Sequence, residues 1–379
     1  MRSIKTKLFS LALAACMVLA LAGCSVSTPS TVGTIGGVEI PAGIYLLAQY
    51  NSYNTAANAA DLATGETASD VKAVLKATCT GTINGEEVTA VGSDYVAQLT
   101  TRAIEYYAAV EKQFAAQNGV LDDAATAEAA KTADSLWTSN GDLYTANGIS
   151  KTSVENYLLN AQKAKALLRM SYGADGTTPV TDEEYTDYVN NDCYYIEAVQ
   201  FPLVNYSSHS MATDDEKTAI MATAESCLTT LNQTATAETA SNSALYTAAM
   251  TYVPQAMAAM GSTLNASQAV YYAASQLYTP DNLSSYGSDE YNNLTDPLDE
   301  AGMNNWTIID LGTTILVARR IDPFKTYTVE DLNNMYDLLT SMKSTAIQDE
   351  LYAAGAALEH NLNNSALNTY SAANIKKNV

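Results

Sequence analysis

VGTIGGVEIPAGIYLL, residues 32–47, is the stretch from which the fold is read. Two short β-like pieces flank Gly36-Gly37, a pair that tolerates the positive φ of a tight hairpin turn. Pro41 stands where a first helical turn can begin, because a helix start makes no use of that residue's N–H. Ile44-Tyr45-Leu46-Leu47-Ala48-Gln49-Tyr50 and the Ala-rich continuation to Ala60 then predict helix. Hairpin followed by helix points to an α+β chain.

On the N-terminal side of this stretch, Arg2, Lys5 and Lys7 form a cationic start, and Leu8–Ala20 is an apolar run broken only by Ser10. Charge, short apolar run and small residues together predict an export signal. The run is short of the roughly 20 residues that span a membrane. Leu21-Ala22-Gly23-Cys24 resembles the lipobox of bacterial lipoproteins. That resemblance implies cleavage before Cys24 and a diacylglycerol on its thiol. Residues 1–23 are then the signal peptide and 24–31 a tether. The chain is expected at the extracytoplasmic face of a bacterial cell membrane, anchored through the lipid on Cys24.

On the C-terminal side, Val96, Leu99, Ala103, Tyr107, Val110 and Phe114 share one helix face, and Asn118-Gly119 closes that helix. Residues 61–93 are mixed, with turn signals at Gly65, Gly81 and Asn84-Gly85. Residues 122–140 read as helix and 141–150 as loop. Ser153 is the expected cap of the next helix, and Gly173–Pro179 breaks the chain. Thr181 and Glu184 form a capping-box pair. Tyr194–Leu203 has strand character. Ile220, Ala224, Cys227 and Leu231 lie on one helical face. Residues 233–300, rich in Ala, Ser, Thr and Asn, give no clear period. Two strands are expected around Gly312, and a last helix from Val329 through Leu332, Met335, Leu339, Met342 and Ala346.

The chain holds 41 acidic and 19 basic residues, a net charge of −22. Loss of Arg2, Lys5 and Lys7 with the signal takes it to −25. This balance argues against nucleic acid as a partner. Cys79, Cys193 and Cys227 remain after Cys16 and Cys24, an odd number without CxxC spacing. His209 and His360 are the only histidines, so no metal site and no cofactor are expected. Asp122-Asp123, Glu183-Glu184 and Asp214-Asp215-Glu216 read as helix-start charges, since adjacent residues on a helix do not converge.

The segment 32–47 resembles the opening of the SurA/PrsA-type foldase lipoproteins, with Gly36-Gly37 where Asn-Gly is usual. VTDEEYTDYV, residues 180–189, resembles that family's lead into a parvulin-type (PpiC-type) prolyl isomerase domain. YYIEAVQFPL would be the first strand of that domain and LGTTILVARRIDP, residues 311–323, its last. The resemblance implies a mostly helical SurA-N-like chaperone domain over 32–175 and an inserted, small parvulin-like α/β domain over 180–325. It also implies a C-terminal helical segment, 326–379, that packs on the N-terminal domain. The two family histidines fall on Ala198 and Thr314, and the family's Gly-rich turn is missing. Ala198 has no polar side-chain atom, and Thr314 keeps only a hydroxyl. The second domain is therefore expected to be a degenerate isomerase.

The resemblance implies a folding factor that binds unfolded or newly secreted polypeptides, with isomerase activity weak or absent. A homodimer is compatible with it. Tyr45, Tyr50, Tyr53, Tyr106 and Tyr107 are candidates for a client-binding surface, weighed against packed helix faces. Two alternatives stay open: an active isomerase with unusual pocket residues, and a non-catalytic lipoprotein for ligand binding or attachment.

Overall fold

A computed structural model describes residues 29–205, 208–284 and 288–377. The signal segment and Cys24 lie outside the described residues. Two compact units divide the rest: one runs up to Ala164 and resumes at Asp349, and the other spans Lys165–Gln348.

The first unit opens on an antiparallel hairpin, β1 (Thr31–Ile35) and β2 (Val38–Pro41). Gly36 and Gly37, at φ 56° and 84°, make its turn. Pro41 caps α1 (Ala42–Ala59), which continues into a short β3 (Ala60–Asp61). α2 (Val71–Lys76) follows, capped by Asp70, whose carboxylate accepts from the Lys72 and Ala73 N–H groups. Next comes a second hairpin, β4 (Thr78–Ile83) and β5 (Glu86–Val91). Its turn is Asn84-Gly85, both residues at positive φ. That hairpin sits in the stretch read only as mixed. α3 (Gly92–Ala116) and α4 (Asp123–Ala146) follow, and α5 (Lys151–Tyr172) begins in this unit and passes its boundary at Ala164.

Two local expectations are corrected here. Residues 141–146 are helical rather than loop, since α4 runs to Ala146. Tyr144, 8 % exposed, packs edge-on against Tyr50. That burial outweighs the cost of about 1 kcal/mol for glycine inside a helix. The cap of α5 is Ser150, whose hydroxyl accepts from the Ser153 N–H, rather than Ser153 itself.

The second unit holds α6 (Asp182–Asp192), started by the Thr181–Glu184 capping box with its two reciprocal hydrogen bonds. β6 (Tyr194–Pro202) runs next, followed by the small hairpin β7 (Val204–Asn205) and β8 (Ser210–Met211). α7 (Asp214–Thr234), α8 (Asn242–Ala259) and α9 (Ala266–Ala269) precede β9 (Ala273–Tyr278). α10 (Pro280–Ser284) and α11 (Ser288–Ala301) lead to β10 (Thr307–Asp310) and β11 (Thr314–Ile321). The sheet is antiparallel, in the order β10-β11-β6-β9. One of its faces packs on α7 and α8 through Val199, Phe201, Ile315 and Val317. Ile220, Ala224, Cys227 and Leu231 on α7 all enter that core. Period-2 alternation turns Ile196, Ala198, Leu316 and Ala318 to the other face, toward Leu294 and Leu298 of α11.

The last helix is two helices, α12 (Val329–Asn333) and α13 (Tyr336–Ala356). Residues 326–348 belong to the second unit. There Lys343 pairs with Glu184 at 3.0 Å and Ser341 meets the Tyr188 hydroxyl at 2.8 Å. From Asp349 the chain belongs to the first unit. Tyr352 stacks on Tyr106 with ring centroids 4.7 Å apart, under the Arg102 guanidinium. β12 (His360–Leu362) then pairs antiparallel with β1, and α14 (Asn364–Thr369) follows. Gly33 makes this pairing feasible: a Cβ there would lie 2.3 Å from the Asn361 carbonyl oxygen.

Candidate functional site

The face of the sheet turned toward α11 carries a concavity of about 210 Å³. Ile196, Ala198 and Gln200 of β6 form its floor, with Thr314 and Leu316 of β11 beside them. Ala274 and Tyr278 of β9, Leu294 of α11 and the β10–β11 turn residues Leu311 and Thr313 complete the wall. The volume is below the roughly 300–1,000 Å³ of drug-sized ligand sites.

The rim is held in place by hydrogen bonds. Leu311 N–H donates to Thr314 O at 2.9 Å, and Leu203 N–H to Thr313 O at 2.8 Å. Asp310 accepts from Gly312 N–H at 2.9 Å and pairs with Lys217 at 2.6 Å. The Lys217 ammonium, with the Gly312 N–H, holds the Asp310 carboxyl below the usual carboxylate range.

The two positions that stand in for histidines both line this concavity. They are not cross-strand partners: Ala198 lies opposite Ala318, and Thr314 lies opposite Pro202, four residues farther along β6. Among the described residues the lining carries hydroxyls and one carboxamide but no carboxylate, imidazole or thiol. Such a lining can hold an apolar side chain and hydrogen-bond a passing backbone. None of these described groups titrates near neutrality for proton transfer. His209 is exposed in the β7–β8 turn, and His360 contacts Glu105 at 3.1 Å in the first unit. Among the described residues no cluster of His, Cys, Asp and Glu could hold a metal ion, and no helix is long and apolar enough to cross a membrane.

On the opposite face of the sheet, directly paired across β6 and β11, Glu197 and Arg319 form an ion pair at 2.6 Å with no solvent exposure. Arg319 also donates to the Ala235 carbonyl at 2.7 Å and lies over the Trp306 ring. Glu197 accepts from the Ser241 N–H. This network ties the α7–α8 connection to the two strands that floor the cavity. Sequence reading missed it. Its signal was a single glutamate in the otherwise apolar YYIEAVQFP and an arginine pair, Arg319-Arg320, in the otherwise apolar TILVARRI.

The tyrosines proposed as a client surface are placed differently. Tyr50, Tyr53 and Tyr107 are core residues, 7 %, 0 % and 9 % exposed. The Tyr53 hydroxyl donates to Ala68 O at 2.9 Å, and burial pushes its pKa up to about 12. Tyr45 and Tyr106 are half-buried, one accepting from Gln49 and the other stacked on Tyr352. Packing on α1 and α3 takes Tyr50, Tyr53 and Tyr107 into the core. Exposed large apolar side chains in the second unit include Met211, Met303, Tyr271, and Tyr246 and Met250, which lie one turn apart on α8. Cys79, Cys193 and Cys227 are free and buried, and burial pushes the Cys193 and Cys227 thiols up to about 12.

No protein-family model matches the chain, and no curated protein matches it. Among solved structures it is similar to the foldase protein PrsA from Streptococcus pneumoniae str. Canada MDR_19A, at 11 % identity. That match covers 77 % of this chain and 98 % of the other with a TM-score of 0.36, a likeness too loose to transfer any residue.

Proposed function

We propose that the protein is a lipid-anchored, extracytoplasmic folding factor that holds unfolded, newly exported polypeptides and does not catalyse prolyl isomerisation. The observation that carries this reading is the cavity between β6, β9, β11 and α11. It is small and open, and its described lining is apolar groups, hydroxyls and an amide. Residues 194–203 and 311–323 are expected to hold the first and last strands of a degenerate parvulin-like domain, and β6 and β11 are neighbours in one sheet. The SurA-N-like character of the first unit rests on the 32–47 segment and its hairpin-to-helix start. The anchor rests on the lipobox resemblance at Cys24.

Isomerisation must lower a barrier of about 18–20 kcal/mol, which calls for a pocket that weakens amide resonance. Ala198 adds no donor or acceptor to such a pocket. Weak holding asks only for a half-apolar surface. The test is light scattering from a chemically denatured client diluted into buffer with the protein at equimolar ratio. Aggregation falls if the reading is right, and falls less when Ala198→Phe fills the cavity. Unchanged aggregation at several-fold excess of the protein sinks the proposal.

A further inference from the structure

The first unit contains a site in which three successive residues of the chain itself, 375–377, are each held by separate contacts. Ile375, at φ −57° and ψ 137°, is buried in the core cluster that includes Tyr50, Tyr53 and Tyr144. At the next residue a single side chain brackets the main chain: Asn147 Oδ1 accepts from Lys376 N–H at 2.8 Å, and Asn147 Nδ2 donates to Lys376 O at 2.9 Å. The Lys376 side chain is exposed. The Lys377 ammonium then donates to Asn54 Oδ1 at 2.6 Å and to the Tyr50 hydroxyl at 3.1 Å. It lies 4.8 Å from the Tyr50 ring centroid and 5.7 Å from that of Tyr53. Both are within the roughly 6 Å over which a cation is drawn to an aromatic face.

These contacts separate into two kinds. The Asn147 amide reads the backbone and is indifferent to the side chain it passes. The apolar slot under Ile375 and the Tyr50–Tyr53–Asn54 cation site read side chains two places apart. Nothing in this set requires the segment to be covalently part of the chain. An open polar concavity lined by Trp137, Asn140, Asp142 and Thr145 also borders Lys377, so chain can continue past the cation site. The protein's net charge of −22 favours cationic ligands.

We infer that this groove is a second polypeptide-binding site, recognising an extended segment with an aliphatic residue two places before a lysine, and that residues 375–377 occupy it in competition with such segments. It is independent of the sheet cavity, and its test does not depend on client holding. A tethered occupant acts at millimolar effective concentration and masks the site from a free peptide at micromolar concentration. Weakening the tethered occupant therefore raises apparent affinity for the free one.

The experiment measures fluorescence anisotropy of a labelled peptide of sequence 371–377, SAANIKK, added to the full chain. Lys377→Gln is expected to bind the peptide at least about ten-fold more tightly than the unaltered protein. Ile375→Ala with Lys377→Gln should bind more tightly still. Adding Asn147→Ala to Lys377→Gln should abolish the gain, as should replacing the peptide's second lysine by glutamine. Ile375 is a core residue, so if the double variant fails to fold, Lys377→Gln alone decides. No gain for Lys377→Gln, or a gain that survives Asn147→Ala, overturns the proposal.

Discussion

Arg319→Met should be among the most damaging single substitutions in the second unit, and its cost can be worked from the contacts. Arg319 and Glu197 have no solvent exposure, so removing the guanidinium leaves a carboxylate buried without its counter-charge. Breaking a buried pair in this way costs about 3–5 kcal/mol. For a unit the size of Lys165–Gln348, where 1 kcal/mol moves Tm by about 2–4 °C, that is roughly 6–20 °C. The Ala235 carbonyl is partly protected, because it still accepts from Trp306 Nε1 at 3.1 Å. The double variant Glu197→Leu, Arg319→Met removes both charges. It then loses chiefly the acceptor for Ser241 N–H, worth about 1–3 kcal/mol. The double variant should therefore be more stable than Arg319→Met alone. Urea and thermal unfolding followed by far-UV circular dichroism measure both. A cost below about 1 kcal/mol for the single variant, or a double variant less stable than the single, would refute the assignment of this pair as the tie between sheet and α7–α8 connection.

Acidification should weaken the second unit before the first. Glu184, Glu216 and Asp331 are held below the usual carboxylate range by hydrogen bonds from Thr181, Thr213 and Thr328, and Asp310 chiefly by Lys217. Their contribution is present above an unfolded pKa of about 4 and is lost as pH falls through the lower folded values. In the first unit burial raises Glu105, opposed by His360. Its contribution is present at low pH and lost as pH rises through the folded value. Trp137 and Trp306 lie in different units, so fluorescence unfolding of the single-tryptophan variants at pH 6 and pH 3 separates them. An equal loss in both units would contradict the argument. Cys79, Cys193 and Cys227 should ignore a chromogenic disulfide reagent until the chain unfolds, and rapid native labelling would show a thiol exposed. Gly33→Ala should cost about 1–3 kcal/mol and release β12, read as lost hydrogen-exchange protection in residues 360–363. Retained protection there would mean that the close approach of β1 and β12 can relax.

Elements with strong local chemistry were legible. Gly36-Gly37, the Thr181–Glu184 box and the α7 face of Ile220, Ala224, Cys227 and Leu231 are where period and turn residues place them. The 233–300 stretch was not legible, because α8 buries Ala248, Ala249 and Ala256 and carries Pro254 inside the helix. Alanine gives little hydrophobic contrast between faces, so burial there is decided by the partner helix. The β4–β5 hairpin had its Asn84-Gly85 turn in view, but its strands alternate small and polar residues with few large apolar ones. In the site, Ala198 and Thr314 were found by resemblance, whereas Gln200, Tyr278 and Leu294 depend on how β9 and α11 close over the sheet. The burial of Tyr50, Tyr53 and Tyr107 was not legible, because the amphipathic character that suits a groove also suits a wet-edged core.

The measurement that bears most directly on the account is the refolding of a client with a proline-limited slow phase, followed in the presence and absence of the protein. Final yield reports holding, and the rate of the slow phase reports isomerisation. The account predicts a higher yield with an unchanged slow-phase rate. An accelerated slow phase that Ala198→Phe abolishes, or a yield that does not rise at several-fold excess, would contradict it.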